Sequence, residues 1–253
     1  VQGDPVPTIA VADFFHHGML NENGANLAVI ASGNRKAMPV RVLQNGPGDF
    51  CRIAFEVDGS NRNYDLYYGG PGPAEEVPAW TSDIGLILET REYRDCNLNN
   101  LDSVRQAFES SKRIGSNYVD GVHHSDNPFS LSRAPFLSRY SGTILIPQSG
   151  KYGFLTSSQD CSFLLIDDKV VASAPGRHGP QRQANPSTRG IVQLDRGAHR
   201  FEYYHVATGS EAMMVAAWEP GPNAEKPAPK AIPVEAFQFR LIGAAEAGPL
   251  ALS

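Results

Sequence analysis

Apolar and polar residues alternate over short stretches along most of the chain. In Lys151–Thr156, Tyr152 and Phe154 share one face. In Ser162–Ile166, Phe163 and Leu165 share a face, and Leu164 and Ile166 take the other. Phe201, Tyr203 and His205 alternate with Arg200, Glu202 and Tyr204, and Met213, Val215 and Ala217 alternate with Met214, Ala216 and Trp218. A period of two predicts β-strands, and strands apolar on both faces predict the middle of a sandwich or barrel. Helical spacing is confined to Leu101–Phe108, where Leu101, Val104 and Phe108 fall on one face. Asn100 or Asp102 is placed to cap that helix. We expect Tyr152, Phe154, Phe163, Leu165, Phe201, Tyr203, Val215 and Trp218 to build the core.

The 24 glycines and 19 prolines divide these stretches and reinforce the all-β reading. "KAMPVRVLQNGPGDFCRIAFEVDGSNRNYDLYYGG" reads as three strands, with "QNGPGD" and "DGSNRN" as hairpin-type turns. "YYGGPGPAEEVPAW" then reads as linker chemistry. The division is a small β-sandwich-like unit at 1–75, a linker at 76–83, a larger β domain at 84–243 and a tail at 244–253. A second linker, Glu219–Pro233, precedes a last strand at Val234–Ile242. A unit as small as the first is marginal alone, so it should dock on the second, with Trp80 in the contact.

Composition narrows the function classes. A net charge of −5 with 19% charged residues gives no pull toward nucleic acid or anionic membrane. No run of 18 apolar residues exists to span a bilayer. Val1 in the place of Met suggests a processed chain, its signal peptide removed. Cys51, Cys96 and Cys161 are an odd count: one bridge such as Cys51–Cys96 is compatible with the sequence, and three buried thiols are the plainer reading. No GxSxG, HExxH or P-loop occurs, and Glu75-Glu76 are adjacent and cannot flank a glycosidic bond, so the chain reads as no enzyme. "DGVHHSDNP" groups His123, His124 and Asp126, but neighbouring side chains rarely converge on one metal, and a polar loop is expected.

Several motifs follow in a fixed order: "YSGTILIPQSGKYGFLTSSQDCSFLLIDDKVV", "GIVQLDRGAHRFEYYH" and "AMMVAAWEPGP". In this order, from about Ile84 to Leu241, the chain resembles the anthrax protective-antigen domain family (PA-fourteen). The resemblance implies an antiparallel β-sandwich or barrel of two sheets, of a kind found in adhesins, toxins and carbohydrate-active enzymes, mostly outside the cytoplasm. Its lectin members bind calcium through two adjacent Asp in the turn after Tyr-x-Phe, and the ion bridges to sugar hydroxyls. Those positions here are Gln159 and Asp160. Asp160 remains a candidate metal ligand, but one formal charge is lost, so weak or no calcium binding is expected and no other cofactor. Asp160 should instead accept backbone N–H bonds, as turn aspartates do. Asp167-Asp168 falls at the family's hairpin turn. A complementary loop, "VATGSEA", carries Thr208, Ser210 and Glu211, with Glu211 the one replacement carboxylate.

The long loop "PGRHGPQRQANPSTRG" adds Arg177, His178 and Arg182 as donors to an acidic glycan or partner. The resemblance implies a non-catalytic carbohydrate-binding or adhesion module of a secreted or cell-envelope bacterial protein, located extracellularly, in the periplasm or at the envelope. Its partner would be a glycan or a cell-envelope protein. Two alternatives stand beside this reading. One is a structural or protein-interaction module with a degenerated calcium and sugar site. The other is an accessory domain of a larger carbohydrate-active enzyme.

Overall fold

The computed structural model describes residues 9–21, 24–46, 48–57, 61–71, 77–78, 80, 84–180, 188–219 and 229–238. Much of the first linker, Arg182, most of the second linker and the tail lie outside the described residues.

Among the described residues, six strands precede the linker: β1 (Ile9–Phe15), β2 (Ala28–Ala31), β3 (Ala37–Met38), β4 (Val40–Asn45), β5 (Phe50–Glu56) and β6 (Tyr64–Tyr67). They form two three-stranded sheets, ordered β1-β5-β4 and β3-β2-β6. Leu20, Leu27, Val29, Met38, Cys51, Ile53 and Phe55 fill one core between them. The "QNGPGD" turn joins paired strands, as its Asn-Gly signal predicts. The segment after β5 does not close a hairpin, because β6 pairs with β2 and the chain crosses from one sheet to the other.

The remaining strands are β7 (Leu86–Glu92), β8 (Arg113–Val119), β9 (His123–His124), β10 (Phe136–Ile146), β11 (Gly150–Ser158), β12 (Ser162–Ile166), β13 (Lys169–Ala174), β14 (Arg189–Leu194), β15 (Gly197–Ala207), β16 (Met214–Glu219), β17 (Lys230–Ala231) and β18 (Phe237–Gln238). One sheet runs β13-β12-β15-β10-β7-β8, with β18 also on β10, and the other runs β14-β11-β16-β17, with β9 on β16. Tyr140, Ile144, Tyr152, Phe154, Leu164, Phe201, Tyr203 and Trp218 pack between the two sheets. The hairpin between β12 and β13 turns on Asp167 and Asp168, both at positive φ (49° and 64°), the conformation of a turn matched to strand twist. The expected strand at Val234–Ile242 is shorter: Val234–Ala236 form a 3-10 turn before the two residues of β18, and positions beyond 238 lie outside the described residues.

The helix α1 (Leu101–Ser110) starts where the spacing places it. Asn100 caps it, accepting the Ser103 N–H through its side chain at 2.8 Å. Val104, Ala107 and Phe108 lie against Leu137, Phe163, Leu165, Tyr204 and Val206 on the outer face of the larger sheet. Phe163 and Leu165 are core residues as expected, but in the cluster under the helix, while Leu164 and Ile166 face the other sheet. Val215 is corrected. It is half-buried, and Met214, Ala216 and Trp218 hold the core face of β16. All three cysteines are free thiols. Cys51 lies in the first core and Cys96 packs on the helix-side cluster, so no Cys51–Cys96 bridge forms.

Ile9, Leu43 and Ala54 of the first sheet cluster with Trp80, Ile84, Tyr118 and Val234. The Arg41 guanidinium lies over the rings of Trp80 and Tyr118, 5.2 and 4.2 Å from their centroids.

Candidate functional site

β11 ends in a polar run, and the hydroxyls of that run satisfy one another inside the protein. Thr156, Ser158 and Ser162 are buried. Thr156 Oγ1 lies 2.7 Å from Ser162 Oγ and 3.0 Å from the Tyr203 hydroxyl, and Ser158 Oγ lies 2.9 Å from Ser162 Oγ. Each hydroxyl can donate and accept, so the chain closes without an orphaned group.

Gln159 and Asp160 turn the backbone from β11 into β12. Asp160 sits at φ +59°, a region that aspartate tolerates better than most residues. Its N–H donates to the His178 carbonyl at 2.7 Å, and its own carbonyl accepts from Ser158 Oγ at 2.6 Å. Its Oδ2 accepts from the Thr208 N–H at 2.9 Å and from Thr208 Oγ1 at 2.8 Å. The carboxylate therefore ties the complementary loop to the turn: Asp160 does accept a backbone N–H, but from Thr208 across the site rather than from its own turn. The Gln159 N–H donates to the Met213 carbonyl at 3.0 Å. The Gln159 carbonyl lies 2.8 Å from His205 Nε2. Burial pushes the His205 imidazole down to about 4, so the ring is neutral near pH 7. Its proton sits on Nε2, because a carbonyl only accepts.

Few oxygens of this donor set are open to a calcium ion. The carbonyls of Gln159 and Asp160 and the Asp160 Oδ2 already accept hydrogen bonds from His205, Ser158 and Thr208. Hard cations need six to eight open oxygens. Among the described residues, no three His, Cys, Asp or Glu side chains are placed to share a metal ion.

The structure brings Gln159, Asp160, Thr208 and His178 together. His178 joins through its backbone, and its ring nitrogens lie 3.0 Å from the carbonyls of Ala174 and Gly179. Arg177 is exposed and lies near enough for its charge to act on Tyr93, on the loop leading to α1. Ser210 and Glu211 are exposed on the complementary loop, and the Gln159 side chain is half-exposed beside Gly179.

One feature of this end escaped the sequence reading. Behind Ser210 lies a cleft of about 160 Å³, lined by residues that include Asp126, Leu131, Arg133, Phe136, Ser210 and Ala212. Asn127 fixes its outer wall: its buried Oδ1 accepts from Thr90 Oγ1 and from the Phe129 N–H, both at 3.1 Å. The polar, Pro-bounded run "SDNPFSLSRAP" carries the signal, but only as a loop. The two histidines beside it are also corrected. They form β9 rather than a loop, and their rings stack 5.4 Å apart at 14°.

The PA14 domain matches residues 100–230. Among solved structures, the PA14 sugar-binding domain from an RTX adhesin is 17% identical, covers 62% of this chain and 99% of its own length, and superposes with a TM-score of 0.49. The PA14 domain of the antifreeze protein MpAFP is 10% identical, covering 66% of this chain and 95% of its own, with a TM-score of 0.48. The A domain of epithelial adhesin 9 from Candida glabrata, solved with Galb1-4GlcNAc, is 13% identical, covering 61% and 88%, with a TM-score of 0.45. No curated protein matches the chain. The family match takes in α1, the Gln159–Asp160 turn and the paired central strands around it, slightly more than half of all residues, and the chain belongs to the PA14 domain family.

Proposed function

We propose that this chain is a non-catalytic carbohydrate-binding or adhesion module of a secreted or cell-envelope bacterial protein, and that it holds its glycan by direct hydrogen bonds without a metal. One observation carries the reading: the inward polar groups of the Gln159–Asp160 turn are spent in fixing it, while the side chains around it face outward. The Gln159 amide and the Ser210 hydroxyl each donate and accept, Glu211 accepts and Arg133 donates. Sugar hydroxyls require that mixture, and the cleft behind Ser210 gives a ring a wall of Leu131 and Phe136. Membership of the PA14 family agrees with this role, although a fold alone does not assign one. No helix among the described residues is long and apolar enough to cross a membrane.

The locked carboxylate supports a second reading, a structural or protein-interaction module whose turn serves only to tie two loops. A glycan array probed with the full chain, once in calcium and once in EDTA, separates the two. The carbohydrate reading expects the same glycans in both, and about tenfold weaker titrated affinity for Gln159→Ala and Ser210→Ala, the equivalent of one hydrogen bond each. Binding lost in EDTA overturns the metal-free mechanism. A blank array in both conditions overturns the carbohydrate reading and leaves the structural one.

A further inference from the structure

The first sheet meets the PA14 sandwich through charge as well as through apolar contact. Arg52 stands opposite Asp13 in the β1–β5 pairing. Its Nε and Nη2 donate to Asp13 Oδ1 and Oδ2 at 2.6 and 2.7 Å. Its Nη1 points away from that pair, to His123 Nε2 at 3.0 Å and Asp120 Oδ1 at 3.7 Å. A guanidinium only donates, so at 3.0 Å His123 Nε2 is the acceptor and its ring is neutral. His123 Nε2 also lies 3.4 Å from Asp120 Oδ1. That Asp120 oxygen is buried and accepts no hydrogen bond among the described residues.

We propose that His123 is a proton-operated latch between the first sheet and the PA14 sandwich, opening when the imidazole takes a proton. With the proton on Nε2, the acceptor that Arg52 uses is gone, and two cations face each other at that short distance. The new N–H has a receiver in place, the vacant Asp120 Oδ1. Arg52 retains its two bonds to Asp13. Arg52 is then hydrogen-bonded to Asp13 within the first sheet and His123 to Asp120 within the sandwich, while the Arg52–Asp120 ion pair at 3.7 Å still crosses the junction without a hydrogen bond. The hydrogen bond that crossed the junction is replaced by one that does not.

The other groups around the latch do not cancel this. His124 stacks on His123, but burial, with the His123 and Arg52 charges adding to it, holds its imidazole down to about 3. It stays neutral through the range in which an imidazole usually titrates, with its Nδ1 2.8 Å from the Tyr140 hydroxyl. Asp13 is held below the usual carboxylate range, chiefly by its hydrogen bond to Arg52, and stays charged. The apolar contact through Leu43, Ala54, Trp80 and Tyr118 carries no proton in that range, so the junction opens at the His123 edge while the rest stays packed. That edge is continuous with the candidate site, because β9 pairs with the start of β16, which leaves the complementary loop.

Amide hydrogen exchange of the full chain tests the latch, at about pH 7.5 and about pH 5, on either side of the ordinary imidazole range. Rates are normalised to intrinsic exchange at each pH. Peptides covering β5 and residues 120–124 should open about tenfold more at the lower pH, as expected for one lost hydrogen bond to a charged group. Peptides from β10 and β11 should not change. His123→Gln keeps an acceptor that cannot be protonated, and the pH step should vanish. Equal protection at both pH values overturns the latch, as does a step that survives in His123→Gln. The native comparison decides alone if the variant does not fold.

Discussion

Removing the Asp160 side chain is the sharpest test of how the site end is held. Asp160→Ala deletes the acceptor for two Thr208 donors, the N–H at 2.9 Å and the hydroxyl at 2.8 Å. Asp160 is only 5% exposed, so water does not readily replace the lost partner. Leaving partly buried donors unpaired costs about 1–3 kcal/mol, and bonds to a charged acceptor stand at the upper end of that range. Alanine must also sit at φ +59°, which costs a residue with a β-carbon about 1–2 kcal/mol. The sum is about 3–5 kcal/mol of lost stability. Asp160→Gly loses the same hydrogen bonds without the backbone strain, so it should be about 1 kcal/mol less damaging than Asp160→Ala. Urea unfolding with equal slopes for the native chain and both variants gives the comparison directly. A native-like midpoint for Asp160→Ala would refute the tie between turn and loop. A midpoint for Asp160→Gly below that of Asp160→Ala would refute the argument from backbone conformation.

Phe154 is fully buried between the sheets, so Phe154→Ala should cost about 3–5 kcal/mol in chemical unfolding, whereas half-buried Val215→Ala should cost under about 1. Gly190→Ala should destabilise strongly because its new methyl meets the Val171 carbonyl, while Gly209→Ala, with open space around it, should leave the melting temperature nearly unchanged. At His199 burial disfavours the charged imidazole, but the Asp167 carboxylate at 2.7 Å and the Asp195 carbonyl outweigh it, and the proton is held more tightly than in a free imidazole. Its contribution is therefore complete below the unfolded value of about 6.5 and lost as pH rises through the higher folded value. Unfolding free energies across that window should fall with pH in the native chain and lose that component in His199→Asn. Arg189→Met strands the Glu219 carboxylate, 3% exposed, and should cost about 3–5 kcal/mol, with much of the loss recovered in the double variant Arg189→Met, Glu219→Leu.

Local chemistry made much of this protein legible without coordinates. The two-residue alternation of β11, β12, β15 and β16 follows from the pleat, the Asn100 cap from the free amides of a first helical turn, and the Asp167-Asp168 hairpin from residues that tolerate positive φ. The motif order was enough to indicate the family, and the Gln at position 159 showed that the calcium pair was incomplete. None of these depends on distant residues. What covers each strand face does. Phe163 and Leu165 alternate with Leu164 and Ile166 whichever way the strand faces, and only the docking of α1, more than fifty positions earlier in the chain, gives both faces a cover. β6 joins β2 rather than its neighbour β5 because a second sheet is needed to enclose the first core. The Thr208 partner of Asp160, the cleft behind Ser210 and the meeting of Arg52 with His123 join residues far apart in sequence. Periodicity carries no record of such distances, because those contacts are selected by the burial of whole surfaces against each other.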